Sequence, residues 1–164
     1  MKVWVAGFGN EYREDDAIGL LLAGRVHRFL SEEPGVEAAL RLEHQLLPEL
    51  ADELGDADAA VFCDAGVSDA SVGGVPTGFS IREILPDPRL GGFNIHSMGP
   101  EWLLALAERV GNWRPGPGKT AVLVTVSGER FDFSDTPTPA CMERAGRAEQ
   151  AFRRWWRERY GQGG

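Results

Sequence analysis

The apolar positions along the chain recur with two different periods. Lys2 to Phe8, "KVWVAGF", is the continuous apolar run of a strand buried on both faces. After the turn "GNEYREDDA", Ile18, Leu22, Val26 and Phe29 recur at helical spacing and predict an amphipathic helix. Val36 to Leu42 predicts a second strand. Pro48 then suits the first turn of a short helix whose Leu50, Ala51 and Leu54 face inward. "DAAVFCDAG", Asp58 to Gly66, is a short apolar run ending abruptly on an acid and small residues, as a central parallel strand does.

Glycine and proline crowd residues 73 to 92, and "TGFSIREI" within them predicts an edge strand or hairpin followed by a loop. Ser97 to Val110 predicts a helix with Pro100 in its first turn and Trp102, Leu103, Leu106 and Val110 on its apolar side. "NWRPGPG" turns the chain into the strand "KTAVLVTVSG". After "SDTPTP" a last helix runs to Tyr160, its core face being Cys141, Ala145, Ala148, Phe152 and Trp155. Arg153, Arg154, Arg157 and Arg159 lie near its C-terminus, where cations complement the helix dipole.

Strands alternating with helices give the fold class: α/β, a three-layer α/β/α sandwich with a mostly parallel twisted sheet of about five strands, phosphorylase/hydrolase-like. A single domain over residues 1–164 is expected, with no repeat or linker. In open sheets of this kind the ligand lies beyond the carboxyl ends of the strands. The loops beginning at Gly7, Asp64 and Phe93 are therefore where chemistry is expected.

The net charge of −8 narrows the partners, because a phosphate backbone is bound mainly through Lys and Arg. No nucleic-acid partner is expected. The N-terminus enters a strand without a charged and apolar leader, and no apolar run approaches the roughly 18 residues of a membrane span. A cytoplasmic chain without membrane contact is the expectation, with a monomer favoured. Cys63 and Cys141 form neither a CxxC nor a zinc spacing and read as core or helix-face thiols.

The first turn imitates a nucleotide loop and departs from it. Gly7 and Gly9 fill two positions of G-x-G-x-x-G, but Tyr12 occupies the third, and Glu11, Glu14, Asp15 and Asp16 would oppose a pyrophosphate. "GPGKT", residues 116 to 120, resembles the end of a Walker loop, yet a strand rather than a helix follows it. It reads as a turn. Acids at a helix start cap free N–H groups, and one or two would suffice for that. Four within six residues at a ligand-binding edge also suit a cation.

Asp64 closes a buried strand, where a carboxylate is either paired with loop amides or serves a site. Of the three histidines, His27 lies within the first helix and reads as a surface residue, His44 follows the second strand, and His96 stands in a loop before a helix. Asp16, Asp64 and His96 follow different strands at the functional edge. Together they offer two oxygens and one imidazole nitrogen, a ligand set for a divalent transition metal with open positions left.

These residues fall in segments that resemble the hydrogenase maturation proteases, endopeptidases that trim the C-terminus of the large subunit of nickel-iron hydrogenases. The resemblance spans most of the chain. It rests on "GFGNEYREDDAIG", "HQLLPELADEL", "FCDAG", "NIHSMGPEWLLALA" and "TPTPACMERA", in that order. It implies a sheet flanked by helices and a metal site of an acid in the first motif, an aspartate after a later strand, and a histidine. These fall on Asp16, Asp64 and His96. The stretch between Asp69 and Gly92 matches nothing specific, leaves the hydrogenase subtype open, and is expected to shape the partner surface.

The resemblance further implies that the partner is the immature large subunit, already carrying nickel, recognised through that metal and cut after a histidine or arginine near its last cysteine pair. Nickel is thus supplied by the substrate, and the isolated protein is expected to be metal-free. HExxH, a G-x-S-x-G elbow and a Cys/His nucleophile pair are missing, so hydrolases of those types are not supported. Asp16, Asp64 and His96 are expected to engage the nickel or a bound water that attacks the scissile carbonyl. Asn10 and Asp15 are candidates for orienting the ligands, and His44 and Gln45 for positioning substrate. Ligation needs a neutral imidazole, so activity is expected to fall below the histidine's titration range. Two other readings compete: a non-proteolytic metal-binding assembly factor for the same partner, and a peptidyl-tRNA hydrolase-like esterase. The second has a similar G-x-G-N start, but its usual continuation is replaced here by "REDDAIG".

Overall fold

The computed structural model of the chain describes residues 1–67, 71–72, 75–87, 89 and 98–161. Five strands form one sheet in the order β2-β1-β3-β7-β6, where β1 is Lys2–Phe8, β2 Glu37–Glu43, β3 Ala59–Val67, β6 Phe79–Glu83 and β7 Thr120–Gly128. The pairs β1/β2, β1/β3 and β3/β7 are parallel, while β6 pairs antiparallel with β7. A short antiparallel pair, β4 (Ser71–Val72) with β5 (Val75–Pro76), precedes β6. The edge strand expected in "TGFSIREI" is therefore β6.

The central strands are apolar throughout because helices cover both faces. Val3, Val5, Val61, Cys63, Val122, Val124 and Val126 pack on one side. There they meet α1 (Ile18–Glu32) and α4 (Pro139–Tyr160). Trp4, Ala6, Ala60, Phe62, Ala121 and Leu123 point the other way, onto α2 (Leu50–Glu53) and α3 (Pro100–Arg109). The alternation within each run is the strand's period of two read from both faces. This is the three-layer α/β/α sandwich with a mostly parallel sheet that the pattern predicts.

Two helix faces differ from the expected ones. In α4 the buried aromatic beside Phe152 is Trp156, and Trp155 is only half-buried. In α3, Pro100 is the first helical residue, Leu103, Leu104, Ala105 and Ala107 are buried, and Val110 is exposed. Each helix is rotated slightly from its most hydrophobic stripe, because volume against the sheet rather than hydrophobicity alone sets the contact. The start of the expected helix at Ser97 lies outside the described residues. His27 is half-buried rather than on the surface, its Nε2 lying 3.3 Å from the Ala38 carbonyl. "GPGKT" closes a turn, with Gly116 bridged to Lys119.

Cys63 and Cys141 are buried and free. The arginines of α4 form ion pairs as well as facing the helix C-terminus: Arg157 with Glu33 at 2.9 Å and Arg159 with Glu83 at 2.6 Å. No helix among the described residues is long and apolar enough to cross a membrane.

Candidate functional site

The carboxyl ends of β1 and β3 lie side by side, with Gly7 opposite Cys63 in parallel register. The chain leaving β1 therefore turns directly beside Asp64, the residue after Cys63. Gly9 makes that turn at φ 145°, and a Cβ there would overlap the Asp16 carbonyl. Only glycine fits. The next residue, Asn10, donates its N–H to Asp16 Oδ2 at 2.8 Å, while its side-chain Oδ1 accepts the Tyr12 N–H at 2.9 Å. One oxygen of Asp16 is thereby fixed by the turn.

A 3₁₀ turn over Glu14–Ala17 leads into α1. Gly19, in the first turn of α1, rides onto the strand ends: a Cβ there would lie 2.6 Å from the Phe8 carbonyl oxygen, 2.8 Å from that of Cys63 and 3.0 Å from the Asp64 Cα. All three are backbone atoms that cannot give way. The absence of a side chain at Gly19 lets α1 approach closely and brings Asp16 toward Asp64.

This placement has an electrostatic consequence for Asp64. Burial, and after it the negative charge of Asp16, push the Asp64 carboxyl up to about 7, while the Ala65 N–H acts in the opposite sense. Among the described residues neither Asp16 nor Asp64 forms an ion pair. Two neighbouring carboxylates without a basic partner, one of them reluctant to ionise, make an arrangement that a cation would stabilise. His96 and the loop from Phe93 lie outside the described residues, and no group of three metal-ligating side chains occurs among those described.

The other acids of the motif have separate tasks. Asp15 is fully buried and accepts the N–H groups of Glu129 at 2.7 Å, Arg130 at 3.1 Å and Thr138 at 2.7 Å, together with the Thr138 hydroxyl at 3.0 Å. It ties the loop between β7 and α4 to the first motif. Thr138 in turn caps α4 through the Cys141 N–H. Glu14 has a left-handed backbone, φ 41°, which costs a non-glycine residue about 1 kcal/mol. The bond from its N–H to the Ser134 carbonyl, 3.0 Å, belongs to the same tie. Its buried Oε2 lies 3.5 Å from Arg130 Nε, beyond good hydrogen-bond geometry. Glu11 is exposed.

Beside the turn opens a groove of about 710 Å³ lined by Gly9, Asn10, Glu11, Tyr12, Leu20, Leu21, Leu42, Glu43, His44 and Asp135, among others. His44 is thus brought to the same edge as the acids, and its neighbour Gln45 is exposed. Two contributors to this face, Tyr12 and Phe133, were not singled out by pattern. They stack with ring centroids 6.4 Å apart. The available signal was the alternation of aromatic and polar residues in "RFDFSD", a loop with no core to fill.

A sheet of order β2-β1-β3-β7-β6 sandwiched between helix pairs, with acids gathered where its parallel strands end, defines an α/β protein whose candidate site is at the carboxyl edge. The fold is that of the hydrogenase maturation endopeptidases. The hydrogenase maturating endopeptidase HybD of E. coli superposes with a TM-score of 0.67 at 22% identity, covering 98% of this chain and 94% of that one. The [NiFe] hydrogenase maturation protease HycI of Thermococcus kodakarensis KOD1 gives 0.65 at 22% identity, covering 93% and 90%. The hydrogenase 2 maturation peptidase of Thaumarchaeota archaeon SCGC_AB-539-E09 gives 0.54 at 21%, covering 98% and 99%. No family model and no curated protein matches the sequence.

Proposed function

We propose that this protein is an endopeptidase that removes the C-terminal extension of a nickel-loaded [NiFe]-hydrogenase large-subunit precursor. The observation that carries this reading is the unpaired Asp16/Asp64 couple at the carboxyl edge of a sheet whose structural neighbours are hydrogenase maturation endopeptidases. Asp16, Asp64 and His96 engage the nickel that arrives with the substrate. Their chemistry suits it: two hard carboxylate oxygens and a borderline imidazole nitrogen, with positions left for the substrate's own ligands. Cleavage is hydrolytic. Water adds to the scissile carbonyl carbon, the C–N bond breaks, and the departing amine takes up a proton.

Asn10 holds Asp16 by the 2.8 Å bond from its backbone N–H, so the carboxylate is aimed before substrate arrives. Tethering through a substrate-borne metal also explains how an enzyme can wait for metallation before it cuts: an unloaded precursor offers these residues nothing to hold. The test is co-expression of the chain with each type of nickel-loaded precursor, followed by intact-mass spectrometry. Loss of the C-terminal extension with wild type and its retention with Asp64→Ala and His96→Ala is the expected result. An intact precursor in every wild-type pairing, with stable complexes formed, would favour an assembly factor that grips without cutting.

A further inference from the structure

Four of the large hydrophobic side chains left exposed among the described residues lie along one strip beside the site: Tyr12 at 55%, Leu21 at 43%, Leu42 at 50% and Phe133 at 89%. Single exposed apolar residues are ordinary on a protein surface, and a contiguous set is not. Tyr12, Leu21 and Leu42 line the groove that starts at Gly9 and Asn10, the turn that holds Asp16, and Phe133 extends the strip by stacking on Tyr12.

The backbone of the loop that carries Phe133 is tied at several points: at Glu129, Arg130 and Thr138 to Asp15, at Ser134 to the Tyr12 carbonyl (3.0 Å), and at the Phe131 carbonyl to Arg13 Nε (3.2 Å). An aromatic side chain left 89% exposed on a tethered loop contributes little burial to the fold. It is the kind of preorganised anchor that carries binding energy at protein interfaces.

The rim of the groove sets the sign of the occupant. Glu11, Glu43 and Asp135 line it, and among the described residues no Lys or Arg does. None of these three acids forms an ion pair among the described residues. A nucleic acid would be repelled, whereas a polypeptide with a cationic side chain would be drawn in.

We propose that the strip of Tyr12, Phe133, Leu21 and Leu42, rimmed by Glu11 and Asp135, is the docking surface for an extended segment of the substrate protein adjoining its scissile bond. That segment places an apolar side chain against the aromatic pair and a basic one against the acidic rim. The inference rests on the protease reading, since it takes the precursor as the occupant.

Trimming kinetics on nickel-loaded precursor separate the two ideas. Phe133→Ser should raise KM about tenfold while leaving kcat within about twofold and the melting temperature unchanged, as expected for loss of an interface anchor. The double variant Glu11→Gln/Asp135→Asn should raise KM several-fold at low ionic strength, with the difference vanishing in roughly 0.5 M salt. A photo-crosslinking phenylalanine analogue at position 133 should capture the precursor next to the cut. If wild type trims and both variants keep a KM within twofold of it, the docking surface is wrong and the protease reading stands. If Phe133→Ser instead dissolves a dimer seen by light scattering, the occupant is a second copy and the inference fails. If wild type trims no precursor, both fall together.

Discussion

The Asp15 carboxylate accepts both the backbone N–H and the side-chain hydroxyl of Thr138, at 2.7 and 3.0 Å, across 123 positions of sequence. That contact joins the first loop of the fold to the start of its last helix. Asp16, the candidate ligand, is the next residue along. The placement of Asp16 therefore depends on a neighbour that does not itself face the groove.

Removing the Asp15 carboxylate leaves three backbone N–H groups without their acceptor. Asp15→Ala is expected to lower the unfolding free energy by about 3 kcal/mol, the cost of a few orphaned donors. Urea denaturation at pH 7 measures it. A loss under about 0.5 kcal/mol would mean the loop finds other partners.

Asp15 and Asp64 predict opposite responses to pH. Burial works against ionised Asp15, but the N–H groups of Glu129, Thr138 and Arg130 and the Thr138 hydroxyl more than compensate, so its carboxyl lies below the ordinary 3.8. Its contribution to stability is complete above that value and is lost as pH falls through the lower, folded-state value. Asp64 is raised from 3.8 to about 7, by burial first and by Asp16 as well. The folded protein then holds a proton that the unfolded chain has already released, so Asp64 takes stability away as pH rises from about 4 to about 7. Asp64→Asn should accordingly stabilise the metal-free protein at pH 8 by roughly 1–4 kcal/mol and leave it little changed near pH 4. A destabilised Asp64→Asn at pH 8 would contradict the assigned environment.

The same proton bears on function. On the proposed nickel-binding role of Asp64, the proton it carries below about 7 has to leave before the metal is engaged, so trimming should decline from pH 8 to pH 6. In Asp16→Asn the repelling charge is gone, and the Asp64 titration, followed by carboxyl NMR of the metal-free protein, should move to lower pH. An unmoved midpoint would show that the two carboxylates do not sense each other.

Gly19→Ala tests the close approach of α1. Its Cβ would meet the backbone of Phe8, Cys63 and Asp64 at 2.6 to 3.0 Å. Overpacking of this kind costs about 1–3 kcal/mol, so a lower melting temperature is expected, together with loss of trimming out of proportion to it. Gly24→Ala, where nothing lies within 4 Å of the added atom, serves as the control in the same helix.

The two cysteines should be chemically silent. Burial, and then the charge of Asp64, raise the Cys63 thiol far above its usual range, and burial with the charge of Asp15 pushes Cys141 up to about 12. Native protein at pH 8 should take up no iodoacetamide, and both sites should label in denaturant. Rapid native labelling of either would contradict its burial.

The central strands β1, β3 and β7 were legible because each is covered on both faces, so "VWVAGF", "AAVFC" and "AVLV" appear as apolar runs, whereas the edge strand β2, with no buried residue, shows only alternation. The glycine turn, the acids after it and Asp64 at a strand end were legible for a related reason. A parallel sheet fixes where its carboxyl edge must be, whatever lies on either side. Sequence alone thus determined the layers, the edge and the family resemblance. Helix orientation was less legible: Trp155 and Trp156 are adjacent and equally apolar, and only the volume left beside Phe152 decides which is buried. Tertiary structure alone decided the division of labour among neighbouring acids, Asp15 turned inward to the Thr138 loop and Asp16 held by the Asn10 N–H at the carboxyl edge, and it alone paired Tyr12 with Phe133. Composition cannot reveal which of several carboxylates will meet donors more than a hundred residues away, because that depends on where the packed strands and helices bring the loops.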